Sequence, residues 1–161
     1  MINKSIEEAV VLKLKEKGFH VVCAESCTGG MISSALVNVP GASEVLNESY
    51  VTYANSAKHK LLGVEEEALQ TFGAVSRQVA EQMAVGAARA AGAEVSIAVT
   101  GIAGPDGGTP EKPVGLVYIG CSVKGEVTVT ENHFKGSRLE IRKQTTGAAL
   151  TLLYNCLSTK E

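Results

Sequence analysis

The chain has 161 residues, a formal net charge of −2, 45% apolar residues and 20% charged residues. That length suits one ordinary domain with its own core, and the composition excludes a disordered chain. The charge balance gives no electrostatic footprint for nucleic acid, because the basic clusters at 13–17 and 138–143 are interrupted by glutamates. No apolar run approaches the length of a bilayer span, and the charged segment 1–17 lacks the core of a signal peptide. The expectation is therefore a cytoplasmic protein that binds neither membrane nor nucleic acid.

In chain order, Ile6, Ala9, Val10 and Leu14 recur at helical spacing, and Gly18 closes that helix as a left-handed cap. Residues 19–24 read as a first strand, followed by the loop Glu25-Ser26-Cys27-Thr28-Gly29-Gly30 and a short helix over 30–37. Residues 38–42 are turn punctuation, and 45–53 read as a strand ending in polar residues. Asn55 is predicted to cap a helix running to Leu62 and stopped by Gly63, with a short helical turn at 65–71. Ser76 is predicted to cap a longer helix that carries Val79, Met83, Gly86, Ala87 and Ala90 on one face, small enough to lie close on a sheet. Residues 95–100 form a buried strand that feeds a glycine loop. Residues 114–123 and 126–134 are two strands joined at Lys124-Gly125, a hairpin signal, and Gly136-Ser137 opens a last helix to about Leu157. Helices and strands alternate early and a hairpin follows. The pattern predicts a single α/β domain over 1–161, three layers with a mixed sheet flanked by helices.

Two strand-to-loop junctions carry the candidate chemistry. Gly101-Ile102-Ala103-Gly104-Pro105-Asp106-Gly107-Gly108 holds four glycines and a proline, which suits neither helix nor strand. Such a loop can bring backbone N–H groups close to an anionic ligand, and it holds Asp106, the only aspartate in the chain. The loop at 25–30 is of the same kind, so the two suggest one ligand site at one edge of a sheet. The histidines His20, His59 and His133 are scattered, and with a single aspartate no metal cage is expected. Cys23, Cys27, Cys121 and Cys156 form no C-x-x-C pair and read as small buried hydrophobes, with Cys27 set apart by its loop. There is no G-x-S-x-G elbow and no S-x-x-K motif. Lys58 falls in the first turn of its helix, where the dipole disfavours a cation by roughly 0.3–1 kcal/mol. It reads either as a solvated surface lysine or as a base, and burial would have to supply most of any shift toward a neutral amine. Tyr53 reads as core, as a stacking platform or as a proton relay. Arg138 and Arg142 lie one turn apart at the start of the last helix, which reads either as an anion clamp or as two exposed side chains near Glu140.

Ala24-Glu25-Ser26-Cys27-Thr28-Gly29-Gly30, Thr52-Tyr53-Ala54-Asn55-Ser56-Ala57-Lys58 with Leu62-Gly63-Val64, Gly73-Ala74-Val75-Ser76, and residues 101–108 with Lys112-Pro113-Val114-Gly115 together resemble the CinA C-terminal domain family, over about residues 5–157. The enzymatic members of that family are nicotinamide-mononucleotide amidohydrolases. The resemblance implies hydrolysis of the carboxamide of nicotinamide mononucleotide to nicotinate mononucleotide and ammonia, in pyridine-nucleotide recycling, without metal or cofactor. It implies Ser43 as nucleophile, Lys58 as its general base and Tyr53 as a supporting residue. It further implies a substrate site formed by Ser26, Thr28, Gly29, Gly30, Thr100, Gly101 and Gly104, with Arg138 or Arg142 holding the nucleotide. Gly41-Ala42-Ser43 departs from the family's Gly-Ser-Ser at that point. Many members carry a further N-terminal nucleotide-pyrophosphatase domain, and this chain reads as the stand-alone form. A homodimer or higher homo-oligomer is expected from the family and from the exposed hairpin edge. The rival reading is a non-catalytic nucleotide-binding or regulatory module, against which the retention of Ser43, Tyr53 and Lys58 speaks.

Overall fold

The computed structural model describes residues 3–159, so the predicted domain over 1–161 extends beyond the described residues at Met1, Ile2, Lys160 and Glu161. In chain order the elements are α1 (Ile6–Lys17), β1 (Val21–Glu25), α2 (Met31–Val37), a 3-10 turn (Ala42–Glu44), β2 (Tyr50–Val51), α3 (Asn55–Leu62), α4 (Glu66–Phe72), α5 (Arg77–Ala91), β3 (Val95–Gly101), β4 (Leu116–Val123), β5 (Glu126–His133) and α6 (Arg138–Ser158).

Local chemistry sets most of these boundaries. Ser5 and Glu8 form a reciprocal capping box at the start of α1, and Ser137 and Glu140 form the same device at the start of α6. Ser76 accepts from the Val79 N–H at the start of α5, as predicted. Gly18 closes α1 with φ of 66°, in the left-handed region where a side chain would be strained. Lys124 and Gly125, with φ of 49° and 86°, form the tight turn of the β4–β5 hairpin. Three expectations are corrected. Asn55 is the first helical residue of α3, and Ala54 is its cap with no side-chain bond. The strand predicted at 45–53 shrinks to Tyr50–Val51, because only that dipeptide runs alongside β1 beyond the single bridge of Leu46 to Val21. Ala90 is exposed, one step off the buried stripe of α5.

The sheet order is β2-β1-β3-β4-β5; β1 is parallel to β2 and β3, while β3–β4 and β4–β5 are antiparallel. Strand alternation divides the core into two. Val21 and Cys23 of β1 and Val95, Ile97 and Val99 of β3 face α1, α2 and α6. Val22, Ala24 and Ala98 face α3, α4 and α5. The result is the predicted three-layer α/β domain, with six α-helices among the described residues. None of them is long and apolar enough to cross a membrane.

The second layer packs closely because its residues are small. Ser96 Oγ donates to the Ala84 carbonyl at 2.6 Å, tying β3 to α5. A Cβ on Gly120 would lie 2.8 Å from the Ala80 carbonyl oxygen, and one on Gly86 would lie 1.8 Å from that of Leu62. The latter contact fixes how near α5 comes to α3, the helix that carries Lys58. Gly86→Ala is therefore expected to lose about 1–3 kcal/mol in urea unfolding, the usual range for overpacking, despite the higher helix propensity of alanine. Unchanged stability would show that α3 can retreat freely.

Candidate active site

β1 is flanked by β2 and β3, and its two crossovers use opposite faces: α2 lies on the side of α1 and α6, and α3 to α5 on the other. The loops at the carboxyl ends of these strands therefore diverge and leave a crevice, the usual ligand site of a parallel sheet. Here it is a cleft of about 270 Å³ lined by Ser26, Tyr53, Lys58, Thr100, Asp106 and Arg138 among others.

Its first wall is the loop after β1. The Ser26 N–H continues the ladder to the Val99 carbonyl at 3.2 Å, which places the serine at the end of the strand. The preceding residue, Glu25, is fully buried. Its Oε1 accepts from the N–H groups of Gly30 (3.2 Å) and Ile32 (2.9 Å), and its Oε2 from the N–H (3.0 Å) and hydroxyl (2.7 Å) of Ser33. A carboxylate thus satisfies the first turn of α2 and complements its dipole, with the serine loop wrapped around it. Arg142, reaching from α6, holds the same loop by its carbonyls: Nε donates to Cys27 at 2.9 Å and Nη2 to Thr28 at 3.1 Å.

The second wall is α3. Helical side chains lean toward the N-terminus, so Lys58 points back to the end of β2. Its side chain is 1% exposed. Nζ donates to the Thr52 carbonyl at 2.8 Å, to Ser26 Oγ at 3.1 Å and to the Tyr53 carbonyl at 3.4 Å. No ion pair forms at this amine among the described residues, and burial lowers its pKa from 10.5 to about 8.

The third wall is the glycine loop. Thr100 donates its hydroxyl to the Ala74 carbonyl at 2.8 Å, tying this wall to the segment before α5. The N–H groups of Ala103, Gly104, Asp106 and Gly107 donate to no protein acceptor among the described residues. Arg138 crosses the mouth: Nη1 donates to the Gly104 carbonyl at 2.8 Å and Nη2 to the Tyr53 hydroxyl at 2.9 Å.

Lys58, Tyr53, Ser26, Thr100, Gly101, Gly104 and Arg138, all expected from the sequence, come together in this cleft. Ser43 does not. It lies exposed in the 3-10 turn, and the next but one residue, Val45, accepts from the Val21 N–H at the opposite end of β1. A five-residue strand separates that point from Ser26, about 16 Å at a strand's rise per residue. The hydroxyl beside Lys58 belongs to Ser26. Thr28, Gly29 and Gly30 are also corrected: Thr28 is fully buried, the Gly29 N–H bonds the Ser26 carbonyl, and the Gly30 N–H bonds Glu25, so none faces the cleft. Arg142 is occupied by loop carbonyls, which leaves Arg138 as the arginine of the cleft. The residue that the sequence reading missed is Glu25. Its signal was available, an acid at a strand end a few positions before a helix with no other capping side chain.

His20 lies beside Glu94, His59 beside Glu66 and His133 beside Glu131, all outside the cleft. Cys27 lines the cleft, but burial pushes its thiol up to about 11 and that of Cys23 up to about 12, so both stay protonated at neutral pH. A larger groove of about 610 Å³ between α4 and α5 has only exposed titratable side chains, Glu65, Glu67, Glu81 and Arg89.

Comparison with known proteins follows the same lines. The CinA C-terminal domain pattern matches residues 3–157. A competence-damage inducible protein of Clostridium beijerinckii is 53% identical over 153 residues, which is 95% of this chain and 37% of the relative. A CinA-like protein of Dictyoglomus turgidum is 52% identical over 149 residues, 92% of this chain and 36% of the relative. The chain thus spans little more than a third of the length of these curated relatives. Among solved structures, the competence/damage inducible protein CihA of Agrobacterium tumefaciens superposes with a TM-score of 0.91 at 45% identity, over 98% of each chain. The competence damage-inducible protein A of Klebsiella pneumoniae gives a TM-score of 0.94 at 30% identity, over 97% of each chain.

Four hydrogen bonds to one buried carboxylate make Glu25 the anchor of the serine loop. Glu25→Ala strands three N–H donors and is expected to lower stability by on the order of 3 kcal/mol in urea unfolding. A loss under 1 kcal/mol would mean that water replaces the carboxylate.

Proposed function

The chain belongs to the CinA C-terminal domain family, and from that premise we propose that it is an amidohydrolase that converts nicotinamide mononucleotide to nicotinate mononucleotide and ammonia. The observation that carries this reading is the Lys58 amine, buried without a carboxylate, 3.1 Å from Ser26 Oγ. As an ammonium it satisfies three acceptors. As a neutral amine it keeps two N–H bonds, to the carbonyls of Thr52 and Tyr53, and turns its lone pair to the serine hydroxyl. The site therefore fits a serine nucleophile with a lysine base, with Ser26 in the role that the family resemblance had suggested for Ser43.

In this mechanism Ser26 Oγ attacks the carboxamide carbon as its proton passes to Lys58. The resulting ammonium returns the proton to the departing nitrogen, so ammonia leaves and a serine ester remains. A water then attacks the ester, again giving its proton to Lys58. Cleavage of the ester bond releases the carboxylic acid, which ionises, and Ser26 recovers its hydrogen from Lys58. The free N–H groups of Ala103, Gly104, Asp106 and Gly107, in the lining of the same cleft, are the donors this reading assigns to the oxyanion. Arg138 supplies the charge that a nucleotide phosphate requires, and Tyr53 fixes that guanidinium by its hydroxyl.

Ammonia release from nicotinamide mononucleotide, measured in EDTA, tests the reading. Ser26→Ala and Lys58→Ala, each verified as folded by circular dichroism, are expected to lose on the order of 10³-fold or more in kcat. Ser43→Ala is expected to keep kcat within about twofold, as a surface change far from the cleft. No release by the wild type would favour the non-catalytic nucleotide-binding module, and loss of activity in Ser43→Ala alone would overturn the assignment of Ser26.

The same amine predicts two pH effects. The base works when neutral, so kcat/KM is expected to rise with pH through about 8 and then level. For stability, the folded pKa of about 8 lies below the unfolded value near 10.5, so between those values the unfolded chain binds more protons and stability rises with pH. Wild type is therefore expected to gain on Lys58→Met in urea unfolding between pH 8 and 10.5, and parallel curves would show that Lys58 titrates normally.

A further inference from the structure

Asp106 is the one acidic residue among those lining the cleft, and its side chain has no part in the chemistry above. It makes no hydrogen bond or ion pair among the described residues, although Arg138 lines the same cleft. The guanidinium is directed instead to the Gly104 carbonyl and the Tyr53 hydroxyl. The carboxylate is thus left without a partner among the described residues, on a loop whose neighbouring residues are glycine, proline and alanine. The other charged groups of the lining are Lys58 and Arg138, both cationic when protonated. Without Asp106 every formal charge in the cleft would be positive.

That distribution bears on which amides can enter. A carboxamide presented to Ser26 brings its ring beside Lys58, and a cationic ring there meets repulsion from Arg138 and, whenever it is protonated, from Lys58. A neutral ribose needs no formal charge, since carbonyl oxygens serve its hydroxyls equally well. A phosphate is repelled by a carboxylate and attracted by Arg138, so it belongs at the mouth. Resting on the proposed amidohydrolase reading, we infer that Asp106 is a specificity-determining residue that selects carboxamides on a positively charged, quaternised aromatic ring over uncharged ones. Its side chain is exposed, so the preference acts through water-screened attraction and weakens as salt rises.

The test compares nicotinamide mononucleotide with its 1,4-dihydro form, which keeps the amide, ribose and phosphate but has an uncharged ring. Both are titrated calorimetrically into Ser26→Ala and into Ser26→Ala carrying Asp106→Asn. Asp106→Asn is expected to weaken the oxidised nucleotide about three- to tenfold and the dihydro form less than twofold, with the difference shrinking between 20 and 500 mM salt, as screening over roughly a Debye length requires. Asp106→Glu is expected to restore the preference. Equal weakening of both nucleotides, no weakening of either, or a difference indifferent to salt would overturn the inference. Failure of the wild type to release ammonia would instead overturn the hydrolase reading, and the titration would still decide the role of Asp106.

Discussion

The cleft depends on one topological constraint, that β1 lies between two parallel neighbours reached over opposite faces of the sheet. α2 leaves β1 toward the layer of α1 and α6, and the chain returns from β2 through the layer of α3, α4 and α5. Loops that leave adjacent parallel strands in opposite directions cannot close over each other. Ser26, the 52–53 segment and the 101–107 loop therefore meet at an opening that neither layer covers. The antiparallel pair β4–β5 widens the sheet and supports β3, but its hairpin turn projects from the other end.

Burial of an amine in that opening is unfavourable, and the neighbouring structure is arranged to maintain it. Lowering a lysine from 10.5 to about 8 corresponds to about 3 kcal/mol against the charged form. A nearby carboxylate would have reversed the shift, and the acid that lies closest in sequence to Ser26, Glu25, is turned away to hold α2. The two walls also resist collapse onto the amine. Glu25 and Arg142 grip the serine loop by its N–H and carbonyl groups respectively, and Gly86 sets the seat of α3 on α5. Such a site trades stability for an amine that is partly neutral near physiological pH.

What was legible in the sequence was local. Ser76, Ser137 and Gly18 announce helix ends through bonds to residues a few positions away, and Lys124-Gly125 announces a hairpin in the same manner. The apolar run at 95–100 was enough to place a buried strand, which the structure extends to Gly101. What failed depended on distance in space. Ser26 and Lys58 are 32 positions apart and meet only because β1 and β2 are parallel neighbours. Ser43 is nearer to Lys58 in sequence, yet it precedes β2 at the strand's far end. A residue before a parallel strand sits at the floor of the sheet and a residue after one sits at the crevice, and that rule separates the two serines once the strands are paired. The arginines show the same limit. Arg138 and Arg142 share a helix face, but one turn of rise places the first over the cleft and the second under the loop.

Under the proposed hydrolysis, the loop after β1 offers two candidate nucleophiles, because a thiol stands next to the serine. Thiols are intrinsically better nucleophiles, but only as thiolates. Cys27 also lines the cleft, but it belongs to the buried apolar cluster that includes Ile32 and Leu36, and burial pushes its pKa up to about 11. An amine that loses its proton at about 8 is too weak a base to ionise it appreciably. A serine hydroxyl is weaker still as an acid in water, but it need not ionise beforehand. Its proton can pass to Lys58 as the bond to carbon forms, which requires the two groups in contact and does not require a stable alkoxide. Contact is what the fold supplies at Ser26, at 3.1 Å, whereas at Cys27 it supplies a hydrophobic setting. Of the two neighbouring side chains at the cleft, only Ser26 is hydrogen-bonded to the amine.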